Sequence, residues 1–81
     1  NKPMIMGHRM GLEVEWQDDD DLEFGIIEDV FYETRKIMLD CRFVLIRVTP
    51  DAPTYLVRDS SGEAVVKQHK DLTLSEVSRP M

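Results

Sequence analysis

The chain has 81 residues, 42% of them hydrophobic and 32% charged, with a formal net charge of −6. A sequence of this length and mixture forms one small domain with a thin core, and is not a disordered tail. The negative balance disfavours nucleic-acid phosphate and anionic lipid as partners and favours a basic protein partner or plain solubility.

Residues 1–11 hold three of the five methionines and no periodic apolar pattern, so a flexible N-terminal segment is expected there. The alternation in Leu12-Glu13-Val14-Glu15-Trp16 predicts a strand with one buried face. Four adjacent carboxylates, Asp18 to Asp21, then repel one another and belong in a solvated turn. They lack the alternating ligands, central glycine and distal glutamate of an EF-hand calcium loop.

Residues 24–48 allow two readings. Ile26, Ile27, Val30, Phe31, Thr34, Ile37, Met38 and Cys41 fall at helical spacing. The runs Gly25–Tyr32 and Arg42–Val48 are equally rich in β-branched and aromatic residues, which suits strands. Beyond them the pattern is plainer. Pro50-Asp51-Ala52-Pro53 predicts a turn and Thr54–Arg58 a strand. Asp59-Ser60-Ser61-Gly62 then turns the chain into a returning strand over Glu63–Gln68. A last short strand is expected at Asp71–Leu74, followed by a C-terminal tail over residues 75–81.

Catalytic chemistry has few candidates. Cys41, His8 and His69 share no signature that links them, and a lone cysteine in apolar surroundings reads as a small core residue. One cysteine also excludes an internal disulfide and makes a reducing cytoplasm the expected location. One cysteine and two distant histidines fall short of a zinc set, and the four glycines form no phosphate loop, so no metal, cofactor or enzymatic activity is expected. The longest uncharged apolar run, Phe43–Ile46, is far below the ~20 residues of a membrane helix, so no membrane role is expected. The aromatic residues are read first as core filling and second as the lining of a groove. Trp16, Tyr32 and Tyr55 are the candidates for such a ligand-binding groove.

Val14-Glu15-Trp16, then Gly25-Ile26-Ile27, then Pro53-Thr54-Tyr55-Leu56-Val57-Arg58-Asp59-Ser60-Ser61-Gly62 and finally His69-Lys70-Asp71-Leu72 occur in that order. The succession resembles the hypervirulence-associated family with a Tudor-like domain. The resemblance implies an all-β, SH3/Tudor-like antiparallel barrel of about five strands over residues 12–74. The alternative is an α+β fold with a helix over 25–41 packed on a three-stranded meander.

The expected function is a small non-catalytic binding module that engages a protein partner, a basic one being favoured by the charge, through the barrel groove. The alternative is a nucleic-acid-associated or protease-adaptor protein resembling the heat-shock family described as binding hemimethylated DNA. It would use Arg35, Lys36, Arg42, Arg47 and Arg58. A homodimer paired along the edge of Phe43–Val48 is a third possibility.

Overall fold

The fold is given by a computed structural model, which describes residues 4–75. It is all-β, with one single-turn 3₁₀ helix at His69–Asp71. The strands are β1 (Glu13–Asp18), β2 (Asp21–Phe31), β3 (Arg35–Leu39), β4 (Arg42–Ile46), β5 (Thr54–Asp59), β6 (Ala64–Gln68) and β7 (Thr73–Leu74). Five of them form an antiparallel sheet in the order β6-β5-β2-β1-β7, and β3 and β4 form a separate hairpin. A helix over residues 25–41 is ruled out, because that stretch forms most of β2 and all of β3.

Each turn follows from its residues. The acidic run makes a tight β1–β2 connection: Asp18 and Asp21 pair across the ladder, and Asp19 takes a φ of 54°. The β5–β6 turn is held by the Asp59 carboxylate, whose Oδ1 accepts from Ser61 N–H, Ser61 Oγ and Glu63 N–H. These bonds, the Ser61 hydroxyl first, hold the Asp59 pKa below its ordinary value. Asp40 and Cys41 both take positive φ, at 50° and 66°, as a two-residue hairpin turn requires.

The register assigns every side chain to a face. On the inner face Val14, Trp16, Ile27, Tyr55, Val57 and Leu72 form one buried cluster. On the outer face Phe31, Ile46 and Leu56 form a second, against which Ile37, Leu39, Val44 and Val66 pack. The β3–β4 hairpin therefore lies across the outer face, over β5 and β6. A β-bulge in β2 between Ile27 and Asp29 adds one residue, so that Ile27 and Val30 share the inner face while Phe31 turns outward. β5 is consequently buried on both sides.

The sheet coils strongly. Lys67 of β6 places its Nζ 5.4 Å from the ring centre of Trp16 on β1, with two strands between them in the sheet. No ladder joins β6 to β7 among the described residues, so the barrel-like sheet is open and not a closed barrel.

Residues 5–11, expected to be flexible, run against this sheet. Ile5 N–H donates to Asp51 O at 2.9 Å and Gly11 N–H to Ile27 O at 2.8 Å. A Cβ at Gly7 would overlap the Tyr55 hydroxyl and Pro53 Cγ, so only glycine permits this close approach. The expected tail survives in the described chain only as Ser75, whose N–H donates to Glu13 O at 3.1 Å; its remainder lies outside the described residues. No helix among the described residues is long and apolar enough to cross a membrane.

Candidate functional site

Of the three residues expected to line a groove, two are core. Tyr55 is 0% exposed and Trp16 is 5% exposed, and both belong to the inner cluster. Trp16 lies across Gly25, where any Cβ would stand 3.1 Å from Trp16 Cη2 and 2.6 Å from Val57 Cγ1. Tyr32, just after β2, is 53% exposed and lines a depression with Met6, His8, Met10 and Val30. The structure therefore brings Trp16 and Tyr55 together in the interior and leaves Tyr32 at the surface.

The buried Tyr55 hydroxyl organises a polar cluster with no sequence signature. It accepts from His8 N–H at 2.9 Å and lies 2.8 Å from His69 Nδ1. The two imidazoles stack with centroids 4.9 Å apart. Burial, and then the neighbouring His69, push the His8 pKa below its ordinary 6.5. Burial also raises the Tyr55 pKa, so the phenol stays protonated. The phenol ties the His8 backbone to His69 and so holds the N-terminal segment on the sheet. Cys41 is exposed in the β3–β4 turn.

The outer face offers a different surface. Leu22, Phe24 and Ile26 alternate along β2 and are each about half exposed. Their partners across the ladder on β1 are Gln17, Glu15 and Glu13. On the other flank Arg58 pairs opposite Ile26 and is held to Glu28 by two hydrogen bonds of 2.9 and 3.1 Å. Phe24 and Ile26, with Arg58, Ser60 and Glu13, surround a depression of about 290 Å³. The hairpin's outward side is also apolar. Met38 and Phe43 are cross-strand partners, as are Lys36 and Leu45, and all four are exposed.

Charge divides the same way. From Glu13 to Glu33 every charged residue is acidic, whereas Arg35, Lys36, Arg42 and Arg47 outnumber Asp40 between Arg35 and Val48. Of the arginines expected to form a basic surface, Arg58 stands apart on β5, bound to Glu28.

Set against known protein families, curated proteins and solved structures, the chain shows no significant match to any.

Proposed function

We propose that the chain is a small non-catalytic protein-binding module that works through the outer face of β2. The observation that supports this is the half-exposed strip Leu22, Phe24 and Ile26 beside a β1 row of Glu13 and Glu15. Apolar side chains exposed in a row mark an interaction surface, and an acidic rim selects partners with basic residues among apolar ones. The surface replaces the Trp16–Tyr32–Tyr55 groove, because the rings of Trp16 and Tyr55 are enclosed in the core. The order of elements keeps the Tudor-like resemblance as a proposal about ancestry, and a cytoplasmic location goes with it.

The test is titration with a synthetic peptide that alternates lysine and leucine. Binding should weaken by at least about tenfold, or about 1.4 kcal/mol, in Phe24→Lys. It should be kept in Ile5→Lys, which adds the same charge on the segment covering the other face. Equal affinity for all three proteins, or no binding to any, overturns the reading. The nucleic-acid alternative is favoured by Arg35, Lys36, Arg42 and Arg47 lying together in sequence on and after the β3–β4 hairpin. It requires duplex binding that falls steeply with salt.

A further inference from the structure

We infer that the partner of the β2 strip is the β3–β4 hairpin of a second copy of this chain, bound reciprocally about a twofold axis. The inference rests on the docking role proposed for the strip and names its occupant.

Three observations lead to it. First, the outer face is already covered at β5 and β6 by a hairpin of this kind. The chain's own β3–β4 packs Ile37, Val44 and Ile46 over Leu56 and Val66. Its turn residue Asp40 comes close enough to Arg58 to add to the field on that guanidinium. Beyond Arg58 the same face continues as Ile26, Phe24 and Leu22, each about half exposed.

Second, the hairpin's outward side has the matching chemistry. Phe43 is its most exposed large apolar residue, at 68%, with Met38 opposite it. Lys36 holds its Nζ 5.8 Å from the Phe43 ring centre, which places a cation within the apolar patch. The strip has the opposite arrangement, apolar residues beside Glu13 and Glu15, with Asp18 to Asp21 at its end. Apolar surface meets apolar surface, and the acidic rim meets Lys36, the cation on the hairpin's outward side.

Third, the two surfaces face the same way. The strip is the outer face of the sheet, and the hairpin lies on that face one layer higher, a spacing of about 10 Å for stacked sheets. A molecule with such a step is self-complementary. Turned about a twofold axis, the hairpin of each copy fills the lower level of the other, and the association closes at two. This differs from edge-to-edge pairing of Phe43–Val48, which would use backbone groups of β4 and leave the strip bare.

The experiment is sedimentation of the intact chain over a range of concentrations, with two surface variants. Wild-type protein should pass from monomer to dimer as concentration rises, and added salt should shift the transition upward. Phe24→Lys sets a cation against the basic hairpin, and Phe43→Glu sets an anion against the acidic strip. Each variant alone should stay monomeric with an unchanged circular dichroism spectrum. An equimolar mixture should recover the dimer, because one contact is then wild-type and the other joins opposite introduced charges. A monomeric wild type at every concentration in low salt overturns the inference. So does a dimer that survives either substitution, or a mixture that stays monomeric. A monomeric wild type that still binds the lysine–leucine peptide removes self-association and leaves the docking strip, whereas absence of both removes both.

Discussion

The two faces of β5 are buried by different means. On the inner face Tyr55 and Val57 meet Trp16, Ile27 and Leu72, and the cluster is finished by a polar latch from Tyr55 Oη to His8 N and His69 Nδ1. On the outer face Leu56 meets Phe31 and Ile46, and the cover is a separate hairpin whose cluster is apolar throughout. The first side is sealed by chain segments far apart in sequence, so its loss undoes the domain. The second is closed by a local hairpin over β5 and β6, while Leu22, Phe24 and Ile26 on β2 stay about half exposed. Stability is concentrated on one side of the sheet, and the surface proposed for recognition lies on the other.

The largest effect should come from Trp16→Ala. Emptying that volume from a buried cluster costs about 3–5 kcal/mol, a large part of the stability of so small a domain. Chemical denaturation should show either an unfolded protein or a midpoint moved far down, with all strands lost together. Ile46→Ala attacks the other side at about 2–5 kcal/mol, but the loss should begin locally. Amide exchange should accelerate in β3 and β4 while β1 and β2 keep their protection. Equal acceleration everywhere would erase the distinction between the two faces.

Tyr55→Phe sharpens the comparison by keeping the ring and removing only the latch. It leaves His8 N–H and His69 Nδ1 without their partner, at a cost of about 1–3 kcal/mol, with faster exchange at residues 5–11. The smallest effect is a pH slope. Because His8 titrates below 6.5 in the fold, the unfolded chain binds more protons in the interval beneath that value. Its contribution is complete above pH 6.5 and is lost as pH falls through the folded pKa. The thermal midpoint should therefore decline more steeply from neutral pH toward pH 5.5 in wild type than in His8→Gln.

Several of these features are legible in the sequence and others are not, for physical reasons. The Val14/Trp16 alternation specifies β1, and Pro53 with Gly62 brackets the β5–β6 hairpin, because each signal is local. The stretch from Gly25 to Cys41 misleads. The bulge after Ile27 shifts the side-chain alternation, so residues 26, 27, 30 and 31 acquire the spacing of a helix while remaining a strand. The β3–β4 turn gives no warning either, since Asp40 and Cys41 take positive φ where glycine or asparagine would announce it. Aromatic residues on a strand are compatible with core or groove, and only the register assigns Trp16 and Tyr55 to the inner face. The His8–Tyr55–His69 latch joins residues 61 positions apart, which no spacing rule connects. The docking strip had a faint signal in Leu22, Phe24 and Ile26, whose alternation with Glu23 and Gly25 places three apolar residues on one side.

The most direct test of this division uses the protein's sole tryptophan. Trp16 fluorescence should be blue-shifted, weakly quenched by acrylamide and indifferent to the lysine–leucine peptide, because the ring is enclosed and the proposed binding surface is the other face. Red-shifted, freely quenched emission that responds to the peptide would place Trp16 in an open groove and contradict the account.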